Sequence, residues 1–330
     1  MKLIRFLPSE KIEALPPSLH FDALHDLTLQ QHACDEHWEL VDALGNSLAR
    51  GSIWWNQVPA LPNQRLGIIG HFASSSFEAT QQLLTHLCGR LKDQKCTMAI
   101  GPMDGNTWRK YRFVTETGSE SPFFLEPQNP SEWPQWFLQC GFTSLAEYSS
   151  SLITDLQKRD PRVNRVRERL EKSGISIQSL QLDRFDEELQ EIHQVSSTAF
   201  THNFLYTPLS LDHFHTLYEP IRPHIVPELV FLAKKEGKLV GYLFGIPDLA
   251  QAQRGQKVDT TIIKTLAVLP GKSYGGLGAL LVDEFHYQSR KAGFGRCIHA
   301  LEYQGNGKVQ HLSQFFGDVM RRYTLFARPL

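Results

Sequence analysis

The sequence predicts an α/β (α+β) chain made of two similar halves. Length is the first reason: 330 residues, at about 150 residues per domain, leave room for two cores. The second is order: a hairpin, a strand, a helix, a strand, a glycine and a final strand occur once in each half. The residue identities differ between the copies, so the duplication is read from pattern alone.

In the first half, Trp38–Val41 and Leu48–Trp55 flank Gly45-Asn46, a hairpin signal. Leu66–Phe72 is an apolar strand-like run, and Ser76 is a natural N-cap for the helical period from Phe77 to Leu91. Thr97–Ile100 is strand-like, and Gly141-Phe142 precedes a last strand. Between them lies an irregular stretch, Gly101-Pro102-Met103 through Arg112 and on to Asn129-Pro130, that mixes aromatics with Arg, Glu and Asn.

The middle divides the chain. Gln157 to Lys172 is rich in Arg and Lys, with Val163, Val166 and Leu170 at helical spacing. Asp160 and Pro161 suit a helix start and Gly174 its end. We therefore expect domains at 1–156 and 175–330, joined by a basic, solvated connecting helix within 157–174.

The second half is more regular. Ile175–Leu180 alternates like a strand, and Glu187–Phe200 and Ser210–Tyr218 have helical period. Leu229–Ala233 and Leu239–Gly245 enclose the turn Lys235-Glu236-Gly237-Lys238. Thr260–Leu269 is an apolar run closed by Pro270, followed by a glycine-rich stretch and a helix from Ala279 to Ala292, with Gly293 at its C-cap. Cys297–Leu301 is a strand, Val309–Phe316 a short helix and Tyr323–Ala327 a last strand.

Composition excludes several classes. Hydrophobic residues at 41% and charged residues at 21% mark a globular chain. A net charge of -1 argues against a nucleic-acid binder. No run approaches the roughly 18 apolar residues of a membrane span, and the N-terminus lacks the apolar core of a secretory signal. Five cysteines without regular spacing read as reduced thiols of a cytoplasmic protein. His32-Ala33-Cys34-Asp35-Glu36-His37 fits no standard zinc spacing, so we read it as a surface turn and expect no metal.

One segment carries a specific mechanism: Leu266-Ala267-Val268-Leu269-Pro270-Gly271-Lys272-Ser273-Tyr274-Gly275-Gly276-Leu277-Gly278-Ala279. A strand enters a glycine-rich turn that opens a helix. Free N–H groups and the helix dipole make such a start an anion site, and glycines let phosphate oxygens approach. The stretch resembles the acetyl-CoA-binding motif of the GNAT (GCN5-related N-acetyltransferase) superfamily. Gly276 and Gly278 match its two small positions, whereas Ser273 stands where Arg or Gln is usual. Asn306 falls where the family often has an Asn that contacts the cofactor. Phe316-Gly317 stands, in altered order, where the family has Gly-Phe. The resemblance spans Ile175 to Leu330 in the order of elements and is specific from Thr260 to Gly317.

The resemblance implies two GNAT-like domains, the first degenerate, each a mixed bent sheet flanked by helices. It implies that acetyl-CoA, or another acyl-CoA, pairs with Leu266, Ala267 and Val268 and places its pyrophosphate on Ser273, Tyr274, Gly275, Gly276, Leu277, Gly278 and Ala279, with Asn306 beside it. An amine would then attack the thioester directly. The family's usual Tyr, four residues before the Gly of the pair, is replaced by Ser313. That leaves Glu302, Tyr303 and Tyr323 as acid–base candidates, with His299 behind them. The acceptor, a small-molecule or peptide amine, is expected at His202, Asn203 and Tyr206, a loop that usually borders this site in the family. The aromatic, polar stretch of the first half has the makeup of a pocket wall, with Trp108, Tyr111, Arg112, Glu126 and Asn129 as its contacts.

The expected activity is therefore N-acyl transfer, without nucleic acid or membrane partners. Two other readings compete. A CoA-binding protein without chemistry would explain the missing Tyr at 313. A tRNA-dependent aminoacyl transferase on a tandem scaffold is opposed by the formed pyrophosphate turn and by the lack of net basic charge.

Overall fold

The computed structural model describes residues 1–330 except 9 and 11–13, and no side chains for 308–312. The first half contains β1 (Lys2–Phe6), α1 (Asp26–His32), β2 (Glu36–Val41), β3 (Ser47–Trp54), β4 (Leu66–Ser74), α2 (Phe77–Asp93), β5 (Met98–Gly101), β6 (Phe113–Glu116), α3 (Trp133–Gln139) and β7 (Thr143–Ile153). The connecting helix α4 (Val163–Lys172) follows, then β8 (Ile175–Ser179), α5 (Phe185–Ala199), α6 (Leu211–Tyr218), β9 (Val230–Lys235) and β10 (Lys238–Pro247). The chain ends with α7 (Leu249–Gln253), β11 (Thr260–Val268), α8 (Leu277–Lys291), β12 (Arg296–Tyr303), α9 (Gly307–Phe316) and β13 (Asp318–Pro329).

Local chemistry explains the predicted elements. Ser76 caps α2 by accepting from the Ala79 amide at 3.2 Å, and Leu83, Leu84, Leu87 and Leu91 form its buried stripe. Ser210 caps α6 in the same way. The β9–β10 turn places Glu236 and Gly237 at φ 50° and 75°, the primed geometry that matches strand twist. β1, α1, β6, α3 and α7 carry weaker patterns, and the sequence does not predict them. The stretch 32–37 is not a surface turn: Cys34, Glu36 and His37 are buried, because β2 pairs with both β1 and β3.

All strands join one mixed sheet, in the order β1-β2-β3-β4-β5-β13-β7-β12-β11-β10-β9-β8, with β6 on β13. Among the described residues, only β4–β5 and β11–β12 are parallel. The final strands of the two halves are exchanged: β7 pairs with β12 of the second half, β13 pairs with β5 of the first, and the two pair with each other. Helices cover both faces of the second half, α5 and α6 on one and α4 and α8 on the other.

The connecting helix is not a solvated spacer. Its stripe of Val163, Val166 and Leu170 packs into the α8 side of the core. Arg159 pairs with buried Asp283 at 2.5 Å and Arg167 with Glu284 at 2.8 Å. Both carboxylates lie on α8, so α4 is fastened to the helix that opens at the glycine turn.

Candidate active site

β11 and β12 run parallel only as far as Ile263 opposite His299. Beyond that pair they part, and Lys264–Val268 keep one strand edge open. The divergence starts at a bulge in the β10–β11 ladder, where Phe244 faces Thr265, Gly245 faces Ile263 and Lys264 is the extra residue. A cleft of about 1430 Å³ occupies the opening. Its lining includes Leu266, Ala267 and Val268 from β11, Glu302 and Tyr303 from β12, and Asn306 at the start of α9.

Two further segments close the cleft. His202, Asn203 and Tyr206 come from the loop between α5 and α6, and Trp108, Tyr111, Arg112 and Glu126 from the irregular stretch of the first half. The Trp108 indole donates to the Thr207 carbonyl at 2.8 Å, which ties these two walls together. Candidate residues named from the sequence, spread from Trp108 to Asn306, thus line one cavity.

Glu302 is a half-buried carboxyl on the wall of the cleft. Burial pushes it up to about 7, opposed by a hydrogen bond from Ser313. Ser313 Oγ also meets His299 Nδ1 at 2.8 Å, and His299 Nε2 meets His286 Nε2 at 3.0 Å. Burial holds both histidines below their ordinary range, so both are neutral at pH 7. With Glu302 ionised, one assignment satisfies the row. Ser313 donates to Glu302, His299 Nδ1–H to Ser313, and His286 Nε2–H to His299. His286 Nδ1 then ends the row as a buried acceptor without a partner among the described residues. Position 313 is therefore not a vacated Tyr site, since its hydroxyl connects the carboxyl to a buried imidazole pair.

Tyr303 stands on the cleft wall, its ring centroid 5.5 Å from Phe204 and 5.3 Å from Tyr148. An added Cβ at Gly305 would lie 2.5 Å from this ring, so the glycine makes room for it. Tyr323 differs from expectation. It is fully buried, its hydroxyl donates to Glu126 and lies 2.9 Å from Ser150 Oγ, and it is absent from the cleft lining. Ser150 Oγ accepts from the Leu301 amide at 3.0 Å, so Tyr323 positions β12 from behind. Glu126 borders the cleft, but its carboxylate is bound by Arg321 at 2.5 Å and by Tyr323. Asn129 lies outside the lining and brackets Val114, accepting from its amide at 2.7 Å. These departures share a cause: long-range partners supplied by β13 and β6 are not visible in local sequence.

The glycine turn lies beyond Val268. Ser273 and Tyr274 sit in a short 3-10 turn, and Gly276 precedes α8 at φ 83° with no side-chain cap. Leu277 is buried in the core, so it offers the turn only backbone. The guanidinium of Arg169, from α4, donates to the Gly275 carbonyl. A cation thus reaches the turn although Ser273 replaces the family's usual Arg or Gln. Spacing within the turn gave no sign of it.

The first half repeats the splay but fills it. β4 pairs with β5 only as far as Ile68 opposite Ile100. Beyond that, the Met103 amide donates to the Ile69 carbonyl at 2.8 Å, and the Asp104 carboxylate accepts from the His71 amide at 2.6 Å. A Cβ at Gly70 would lie 2.0 Å from the Met103 carbonyl oxygen. The chain itself occupies that edge. His32, half-buried rather than free on a turn, meets His71 at 2.7 Å beside it.

No family model matches the chain. Escherichia coli protein YghO is 20% identical over 205 residues, 59% of this chain and 52% of that protein, so the chain spans about half the length of the curated relative it matches. Among solved structures, a GCN5-related glucosamine N-acetyltransferase region of a fungal multi-domain GH3 beta-N-acetylglucosaminidase superposes with a TM-score of 0.54 at 13% identity, over 92% of this chain and 34% of that one. A tandem GNAT protein from the clavulanic acid biosynthesis pathway gives 0.50 at 10% identity, over 99% of this chain and 98% of the other. A GCN5-related N-acetyltransferase from Anabaena variabilis gives 0.51 at 9% identity, over 92% and 65%. With the open β11 edge and the mixed sheet, these likenesses show that the chain has the fold of the GCN5-related N-acetyltransferases, in tandem.

Proposed function

We propose that the protein transfers an acyl group from an acyl-CoA to an amine in the cleft between β11 and β12. The carrying observation is that an open strand edge, an uncapped helix start and a half-buried carboxyl near neutrality belong to one splayed strand pair. The residues fit the cofactor. The free edge of Leu266–Val268 suits an amide-bearing arm, the α8 start with Arg169 suits a pyrophosphate, and Asn306 lines the same cleft. Acyl-CoA bound there supplies the acyl group as a thioester. Glu302 accepts the proton that the amine loses, and the row Ser313–His299–His286 fixes its orientation. Tyr303 is the hydroxyl we assign to protonating the departing thiolate. The first half supplies wall rather than a second cofactor site, because Met103 and Asp104 fill its edge. All five cysteines are buried and free, which suits a cytoplasmic setting. Among the described residues, no helix is long and apolar enough to cross a membrane.

Glu302 favours an enzyme over a mere binder, since a carboxyl held near neutrality against a hydrogen-bonded row is costly to keep for packing alone. Calorimetry with acetyl-CoA and free CoA, followed by a thiol-release assay over an amine panel, tests the reading. Binding that Gly278→Asp abolishes, with turnover that Glu302→Gln lowers by about 10²–10⁴-fold, is the expected result. An added Cβ at Gly278 meets only ordinary contacts, 3.6 Å from Leu266, so the fold tolerates this change. No binding to the wild-type protein refutes the proposal.

A further inference from the structure

Lys264 is the extra residue of the β11 bulge, at the inner end of the open edge and opposite in direction to the glycine turn. Arg112, in the first-half wall, is 7% exposed, and its guanidinium carbon lies 4.0 Å from the Tyr111 ring centroid and 4.2 Å from that of Tyr148. Both residues line the cleft. Their charges sense each other: burial first, and then the Arg112 charge, lower Lys264 to about 8. Lys264 therefore remains a cation at pH 7.

Neither has an anionic partner among the described residues. Arg321 binds Glu126, the acidic neighbour on the same wall. Glu302 is held by burial and Ser313, with no cation contributing. Arg112 donates only one long bond through Nη1, 3.5 Å to the Leu301 carbonyl. Its Nε is buried, and neither Nε nor Nη2 makes a hydrogen bond among the described residues. Nε and Nη2 form one in-plane fork of the guanidinium, the geometry that grips a carboxylate with two parallel bonds. Two desolvated cations with a free fork are unfavourable until an anion enters.

We infer that Arg112 and Lys264 form a carboxylate-binding site at the inner end of the cleft, so that one of the two substrates carries a carboxylate beside its reacting group. The inference rests on the acyl-transfer reading for what that substrate does. The carboxylate has two chemical sources: an amino acid acceptor, or the free end of a dicarboxylic acyl group. Leu301, which Arg112 touches, adjoins Glu302 in the chain, so an amine at Glu302 and a carboxylate at Arg112 are one residue apart along β12.

The test measures equilibrium binding by calorimetry. In the acceptor arm, the protein loaded with CoA is titrated with protein L-amino acids, each beside its primary amide. In the donor arm, succinyl-CoA is compared with acetyl-CoA. At least tenfold tighter binding of the carboxylate member is expected in one arm. The arm that shows it identifies the source. Arg112→Gln and Lys264→Gln should each erase that preference, and either variant alone is decisive if the other fails to fold. Equal binding in both arms, or a preference that survives both substitutions, overturns the site. If CoA itself does not bind, the acyl-transfer reading fails, and the amino acid and amide pairs titrated into the unloaded protein decide the carboxylate site alone.

Discussion

Replacing Glu302 with Gln tests whether this carboxyl is held near neutrality by the fold. Burial raises it from 4.5 to about 7 in the native state. A carboxyl raised in the native state binds its proton more tightly there than in the unfolded chain. The protonated form therefore stabilises the fold below pH 4.5, and ionisation erodes that gain as pH rises from about 4.5 through about 7. With about 1.4 kcal/mol per pH unit, the cost is about 0.8 kcal/mol at pH 5 and about 3.4 kcal/mol at pH 8. Gln imitates the neutral carboxyl and never pays it. Relative to wild type, Glu302→Gln should thus gain about 2.5 kcal/mol more at pH 8 than at pH 5. Equilibrium urea unfolding of both proteins at the two pH values measures the difference, and any pH-independent effect of the substitution cancels. A difference below about 0.5 kcal/mol would show that Glu302 is solvated and would remove the physical basis for its role as a base.

Other expectations concern the groups around it. Ser313→Ala removes the hydrogen bond that pulls Glu302 down, so the acid limb of the pH–rate profile should move to higher pH; a shift to lower pH contradicts the row. Tyr323→Phe takes one buried hydrogen-bond partner each from Glu126 and Ser150, which keep Arg321 and the Leu301 amide, and should cost about 1 kcal/mol in thermal or urea unfolding while CoA affinity stays within twofold. Arg169→Ala should weaken CoA binding by about tenfold, in keeping with one charge-assisted contact. A salt titration of the wild-type affinity would then show a steeper slope than that of the variant.

Much of the molecule was legible in local pattern. Glycine spacing from Gly275 to Gly278 marked the helix start, Ser76 marked a cap, and Glu236-Gly237 marked a hairpin, because each depends on backbone conformation that a few neighbouring residues determine. Periodicity likewise marked the helical run from Phe77 to Leu91 that forms α2. The first-half wall of the cleft was legible only as composition: aromatics and an Arg where a packed loop has little use for them.

What tertiary structure alone decided is which residues meet. β7 and β13 exchange places between the halves, so Tyr323, which looked available in its strand, is sealed behind β12. Arg169 reaches the glycine turn from 106 residues away, and Lys264, unremarkable in an apolar run, becomes a cation in the cleft because a bulge rotates it there. Ser313 looked like a loss until His299 and Glu302 were found on either side of it. Sequence determines the local conformations, since those rest on short-range sterics and hydrogen bonds. Charge balance and proton relays depend on distances between remote segments, and only the closed sheet sets those distances.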